Sequence, residues 1–227
     1  MAKLIKFLIA VLLLPVLVIT TAETVRILVH VLGDYHTVLP FAGGMALYAI
    51  IHYTCYNFSR FYVFGHELTH AFAAWLCGFR VSKISVKRES GYVKMDKINA
   101  FVVLAPYFIP FYLLISALVY GIAGLCTDVT PFRPYVLVWL GGCLAFHFIQ
   151  TFHTLWEADQ PDLKLAGGKI FSLVTIVLAN MFILACVLKV LFPQDVSLQA
   201  AGLRVVKGSI NSWRIIVNYI VEKVTNL

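Results

Sequence analysis

Five long apolar stretches dominate the chain, and each is long enough for a membrane-spanning helix, which needs about 20 residues. The second is longer than one crossing requires at 1.5 Å per residue, so it is either one tilted helix that projects from the membrane or a helix broken near Asn57–Arg60. Pro106 and Pro110 are expected to kink the third stretch, because proline interrupts helical hydrogen bonding. The stretches cover residues 4–22, 41–76, 98–125, 135–155 and 170–192.

Two further segments have patterns of their own. In residues 79–97, β-prone and basic residues are interleaved on both sides of Ser90-Gly91, which predicts a β-hairpin. The C-terminal segment is too often interrupted by basic residues to span, but its apolar residues recur at steps of four and three, as on one face of a helix. We interpret it as an amphipathic helix that lies at the membrane interface or pairs with another subunit. Its apolar stripe consists of Val206, Ile210, Trp213, Val217, Ile220 and Val224.

The composition supports a membrane protein. Hydrophobic residues make up 61% of the 227 residues and charged residues 13%, whereas a soluble domain has about 45–50% and about 25%. We therefore predict an all-α polytopic membrane protein with the lipid bilayer as its main solvent. It should have about five transmembrane helices, a short membrane-associated β-hairpin and a C-terminal amphipathic helix.

The charge distribution indicates how the chain is oriented in the membrane rather than that it binds nucleic acid. The net charge is +7, but no basic run is interleaved with the stacking aromatic residues that single-strand binders use. Residues 79–97 hold six Lys or Arg against two acids, and basic loops are typical of the cytoplasmic side. Counting crossings places the N-terminus, with Lys3 and Lys6, on that side too. Lysines before an apolar run also begin a signal peptide, but the length of residues 4–22 favours a retained anchor.

The residues that indicate a chemical function lie in the run Gly65-His66-Glu67-Leu68-Thr69-His70. On a helix, His66 and His70 are four residues apart and project from one face, so both can bind one zinc ion. Glu67 falls beside the metal, where it can take a proton from water. The alternative interpretation is that these three side chains bind no metal and are hydrogen-bonded to neighbouring residues in the protein core. Ionisable residues inside an apolar helix are costly and usually functional, which favours the metal site.

The flanking residues indicate a family. The run HELTHAFAAWLCGFRVSKISV, from His66 to Val86, resembles the first core helix of site-2 proteases, which are intramembrane zinc metalloproteases, and the strand that follows it. Gly78 stands where that helix would stop, and residues 81–95 look like the family's hairpin. The resemblance suggests that the hairpin adds a strand to an extended substrate, and Val81–Val86 has the required alternation. It implies a catalytic core at residues 40–168, between an N-terminal transmembrane anchor with a polar loop (1–39) and a C-terminal transmembrane helix with an amphipathic tail helix (169–227).

The resemblance also implies a third zinc ligand, an aspartate near the end of the third core helix. Gln160-Pro161-Asp162 looks like the Asn-Pro-Asp form of that motif, so Asp162 is the predicted ligand, with Asp159 and Glu157 as alternatives. No glycine follows Asp162, and the family's Asn-rich lead-in is absent. His147 and His153 lie on the approach instead. Each either ligates metal, helps to hold an oxyanion, or simply packs between helices.

Together these features predict a zinc-dependent intramembrane endopeptidase that cleaves transmembrane protein substrates. Zn²⁺ would be held by His66, His70 and Asp162, and Glu67 would be the catalytic residue. One alternative is a catalytically silent relative that acts as a membrane chaperone or regulator, although the motif is intact. The other is an ion or proton transport protein, which predicts polar residues in several spans or an internal repeat. A homo-oligomer formed through the C-terminal helix is a further hypothesis about partners.

Overall fold

The computed structural model describes residues 2–87, 90–157 and 160–226. This part of the chain is almost entirely helical, and the strands in it form a two-stranded antiparallel sheet. The all-α prediction with a short hairpin is therefore confirmed. The helices are α1 (Ala2–Val31), α2 (Tyr35–Thr54), α3 (Ser59–Leu76), α4 (Ala100–Leu104), α5 (Phe111–Cys126), α6 (Arg133–Glu157), α7 (Pro161–Ala166), α8 (Lys169–Leu191) and α9 (Leu198–Thr225), with 3₁₀ turns at Ala105–Tyr107 and Thr130–Phe132, and the strands are β1 (Val81–Val86) and β2 (Gly91–Met95).

The helices match the predicted membrane spans. α1, α6 and α8 are each long and apolar enough to cross a membrane. The pairs α2–α3 and α4–α5 satisfy the same criterion when each bent pair is taken together. These three helices and two pairs correspond to the five apolar stretches, and the chain is an integral membrane protein.

Both pairs are sharply bent, the first where a break was one of the two alternatives and the second where prolines were expected to kink the helix. α2 ends at Thr54 and α3 starts at Ser59, and their axes differ by 120°. The second apolar stretch is thus broken rather than being one tilted helix. α4 with its 3₁₀ turn meets α5 at 79°, next to Pro110, which has no N–H to continue the helical hydrogen bonds.

The chain forms two compact units by its internal contacts, one of residues 34–166 and one of residues 1–33 with 167–227. The predicted three-part division at residues 39 and 168 stays a prediction. In the second of these units α1 continues to Val31, nine residues beyond the apolar run that ends at Ala22. In this extension Glu23 pairs with Arg26 and with Arg204, at 3.6 and 2.6 Å.

Within residues 34–166, α2 and α6 run parallel and touch along most of their length. Contacts progress from Thr37 with Arg133 to His52 with His153. The backbones approach closely at two glycines, because a Cβ on Gly44 would overlap the Val138 carbonyl oxygen and Gly141 has no more room. Small residues of this kind allow helices to associate in lipid.

This register shows how α2 and α3, the two halves of the second apolar stretch, lie against α6. α2 extends over the same depth as α6, which is itself long enough to span. The 120° bend then turns α3 back from the far end of α6. α5 returns antiparallel to α6, with Tyr112 against Phe146 and Trp139 bonded to Ser116. The start of α3, the start of α5 and α7 therefore gather at the end of α6.

Candidate metal centre

α3 presents the histidine motif and ends in a defined stop. Gly78 has φ of +72°, a conformation that glycine adopts without strain. The amides of Gly78 and Phe79 donate to the carbonyls of Trp75 and Ala74, both at 2.9 Å. This is a Schellman motif, which satisfies the last carbonyls of the helix. It terminates α3 where the sequence predicted and directs the chain into β1.

Three side chains converge on one point beside α3. His66 and His70 lie one turn apart, and the first turn of α7 brings Asp162 opposite them. The Nε2 atoms of both histidines are 3.5 Å from Oδ2 of Asp162. Taking one ligand atom from each residue, all three lie within 4.8 Å of one another. They are the group of His, Cys, Asp or Glu residues in the described chain that could hold a metal ion.

The geometry fits zinc. Two ligands at 2.0–2.2 Å from a tetrahedral zinc ion lie about 3.3–3.5 Å apart, and the two nitrogen–oxygen distances agree with this value. Two imidazoles and a carboxylate are ligands that zinc accepts, and three protein ligands leave a fourth position for water. A set of three protein ligands is typical of catalytic rather than structural zinc sites.

The ligands are held by groups outside the cluster. Nδ1 of His70 bonds to the Val102 carbonyl oxygen at 2.8 Å, which leaves Nε2 for a metal. α4 carries that carbonyl, and Asn99 caps α4 by accepting a bond from the Val102 amide. Burial by itself would raise the pKa of the Asp162 carboxyl, but hydrogen bonds from His66 and His70 outweigh it and hold this pKa below its usual range. The carboxylate is therefore in the form that binds metal.

Tyr107 contacts the cluster, and the sequence did not reveal this contact. Its side chain is fully buried, and its hydroxyl donates to Oδ2 of Asp162 at 2.9 Å. The ring also packs edge-on against His66, with ring centres 5.2 Å apart. Next to Asp162, Gln160 is tied to α6 through the Thr154 carbonyl. A tyrosine after a proline in an apolar stretch gives no signal of such a role.

Glu67 lies in the same cleft as the ligands and is covered by the hairpin. The cleft has a volume of about 330 Å³. It is lined by His66, Glu67, His70 and Asp162 together with Gly91, Tyr92, Val93 and Met95 of β2. A Cβ on Gly91 would lie 2.7 Å from Oε1 of Glu67. Only glycine lets the strand backbone approach this carboxylate so closely. β2 rather than the predicted Val81–Val86 strand borders the cleft.

The two other histidines near the end of α6 lie outside this cluster. His147 lines a smaller cavity of about 20 Å³ behind His66, and His153 packs against His52 with ring centres 5.4 Å apart. Neither belongs to the metal-binding group among the described residues. Asp159 and the side chain of Glu157 lie outside the residues that the structure describes.

Comparison with known proteins agrees with this geometry. Residues 41–151 match the family model for Peptidase M50B-like proteins, just under half of the chain. The chain is site-2 protease-like. No curated protein and no solved structure gives a significant match.

The site-2 protease-like match covers the parts of the site that lie on α3 and β2. It includes His66, Glu67, His70 and Gly91, and it ends eleven residues before Asp162. The match suggests a metalloprotease role. The third side chain of the cluster is supplied by a segment beyond it, and its placement rests on the tertiary structure.

Proposed function

We propose that this chain is a zinc-dependent intramembrane endopeptidase. The observation that carries the proposal is the convergence of His66, His70 and Asp162 beside Glu67 in one cleft of an integral membrane protein. The site-2 protease-like match supports it with a metalloprotease role. The substrates would be transmembrane segments of other proteins, because the site is built from elements of apolar helix pairs.

In this proposal His66, His70 and Asp162 hold the metal. A bound zinc ion would lower the pKa of its water toward about 7 and polarise the substrate carbonyl. The hydrogen bond from His70 to Val102 and that from Tyr107 to Asp162 keep the ligands in orientation. Such preorganisation matters because a site loosened by about 1 Å loses much of its rate.

Glu67 would move the proton. It lies next to His66 on α3 and opens into the cleft, so it can accept a proton from the attacking water and deliver it to the leaving amine. Its side chain is only 7% exposed, and Gly91 packs on it. This contact fixes where the carboxylate lies and limits access of bulk water.

The strand beside the cleft suits an extended substrate. β2 pairs with β1 along one edge, and four of its residues line the cleft. A helical substrate keeps its carbonyls in hydrogen bonds and must unwind before hydrolysis. An unwound segment would gain main-chain hydrogen bonds by lying along β2.

The first test is the metal content of the detergent-purified protein and of three variants. We expect near-stoichiometric zinc in the wild type and in Asp159→Ala, and loss of zinc in His66→Ala and Asp162→Ala, provided that all four elute as folded protein. Asp159→Ala is the matched control, because it removes a neighbouring carboxylate of the same type. A folded wild type that binds no zinc would contradict the proposal.

Glu67→Gln separates metal binding from hydrolysis. We expect this variant to retain zinc and to lose cleavage of reconstituted transmembrane substrates by about 10²-fold or more, because the amide cannot accept a proton. Zinc content and product formation are measured on the same preparation. Undiminished cleavage by the variant would show that Glu67 is not the base.

A further inference from the structure

The two faces of the β-hairpin differ in character. On one face Ile84 pairs with Val93, and Val86 pairs with Gly91. Gly91 lies against Glu67, so this face is turned toward the metal centre. Its four hairpin residues carry no charge, and all are at least partly buried. Because side chains alternate along a strand, the residues between them form a second face that points away from the metal centre.

The second face is basic. Lys83 lies directly opposite Lys94 across the two strands, and both side chains are exposed. Nζ of Lys83 is 5.8 Å from the centre of the Tyr92 ring on the same face. Neither lysine is paired with a carboxylate among the described residues, and Asp96, just after β2, accepts a hydrogen bond from a backbone amide just before β1. Like charges directly opposite each other destabilise a sheet, so this arrangement suits a negatively charged partner.

The cleft adjoins the edge of β2 that faces away from β1. Among the described hairpin residues, those that line the cleft all belong to β2, and they are Gly91, Tyr92, Val93 and Met95. The sheet in the described chain consists of β1 and β2, so no other described strand covers this edge. In the proposed function, on which the following inference rests, an extended substrate lies along this edge.

A substrate strand at this edge would continue the alternation of the sheet. Its side chains would point in turn toward the metal centre and toward the basic face. Those on the basic face would be cross-strand neighbours of Tyr92 and Lys94, and directly opposite residues in a sheet have Cβ atoms about 4.5–5.5 Å apart. Lys83 lies one strand further away on the same face. A substrate carboxylate there would be attracted by both lysines, whereas a basic side chain would be repelled.

We propose that Lys83 and Lys94 determine substrate specificity by selecting acidic residues close to the scissile bond. The preferred substrate is a membrane segment whose unwound part carries Asp or Glu at alternate positions, on the side that points away from the metal. Opposite charges across strands are favourable and like charges are unfavourable, so the two lysines discriminate in both directions. The position of this face beside the cleft favours a substrate over lipid headgroups as its occupant.

Peptide binding to the full-length Glu67→Gln protein tests the proposal, because this variant should bind a substrate without cleaving it. The protein is placed in nanodiscs of zwitterionic lipid, and binding of labelled transmembrane peptides is followed by fluorescence anisotropy. The peptides share one apolar span and differ only in a short extended flank, whose alternate residues are Glu, Gln or Lys. We expect the Glu peptide to bind about three- to tenfold more tightly than the Lys peptide. The Gln peptide should lie between them, and high salt should reduce the difference.

Variants of the lysines, made in the same Glu67→Gln protein, assign the preference to the hairpin. The double variant Lys83→Gln/Lys94→Gln should bring the three affinities together, and Lys94→Glu should favour the Lys peptide. Lys207→Gln/Lys223→Gln is the matched control, since it removes the same charge from exposed positions on α9 and should leave the preference unchanged. The thermal midpoint of the hairpin double variant should not fall, because the substitution removes a like-charge pair.

Equal affinities for the three peptides with the hairpin lysines in place would overturn the proposal, and so would a preference that survives the hairpin double variant. Loss of the preference in the α9 control as well would attribute it to net charge and overturn the proposal too. Unchanged peptide affinities together with less co-purified anionic lipid in the hairpin double variant would assign the basic face to lipid. Peptide binding requires neither zinc nor hydrolysis, so failure here is distinct from failure of the metal-content test.

Discussion

Single contacts decide what each residue of the metal centre does. His66 and His70 are equivalent in the motif, yet only His70 has its second nitrogen bonded to a backbone carbonyl in the described structure. Asp162 is held from the other side by Tyr107. The strength of the site therefore depends on residues that would not touch the metal.

Tyr107→Phe should weaken zinc binding without removing a ligand. The substitution deletes the hydroxyl that fixes Oδ2 of Asp162, and loss of such an outer partner typically costs about 10–100-fold in metal affinity. We expect a rise of that size in the zinc dissociation constant, measured by competition with a chromogenic chelator.

Tyr120→Phe is the control for that experiment. Its hydroxyl donates to the Val129 carbonyl at 3.3 Å, away from the cleft, so this variant loses a comparable hydrogen bond and should bind zinc as the wild type does. Equal affinities in Tyr107→Phe and wild type would show that Asp162 needs no such support.

At the scale of elements, close helix packing positions the site more than hydrophobicity does. Lipid is as apolar as the side chains of α2 and α6, so these helices associate through contact between their backbones. Gly44 and Gly141 make this contact. The parallel register that results places Asp162, just beyond α6, beside the returning helix α3.

Gly44→Ala should destabilise the protein because the new methyl group overlaps the backbone of Val138. Overpacking of this kind costs about 1–3 kcal/mol, and the expected result is a lower thermal midpoint in detergent. Gly43→Ala brings the same gain in helix propensity, but its new Cβ would have no other atom within 4 Å. The thermal midpoint of this control variant should therefore match or slightly exceed that of the wild type. Identical midpoints for the two variants would contradict the packing role.

At the scale of the whole molecule, the prediction of five crossings places the two ends of the chain on opposite sides of the membrane. The spans found in the structure agree in number with the apolar stretches when each bent pair counts once. The basic residues of the hairpin and of the N-terminus then favour the cytoplasmic side together. This orientation stays a prediction.

Labelling with a membrane-impermeant maleimide tests the orientation. The label is applied to variants that carry one cysteine each and no other. A cysteine in place of Ser90 should react only when the reagent reaches the cytoplasmic face of the membrane, and one in place of Asn226 should react only from the opposite face. Both positions are at exposed ends of their elements. Reaction of both from one side would mean an even number of crossings.

The sequence by itself determined the local features of this protein. The lengths of the apolar stretches, the His66–His70 spacing, the Gly78 stop and the hairpin all depend on residues close together in the chain, and helix and strand periodicity makes such features readable. Asp162 could be predicted as a ligand only through a family resemblance.

Only the tertiary structure decided which distant groups meet. The turning back of α3, the Tyr107–Asp162 bond, the close approach of Gly91 to Glu67 and the face of α9 that packs on α1 each join residues far apart in sequence. In a membrane these contacts follow from where small side chains allow backbones to approach. The positions of apolar residues along the chain do not show which small residues of two helices will meet, and so the hydrophobic pattern does not specify these contacts.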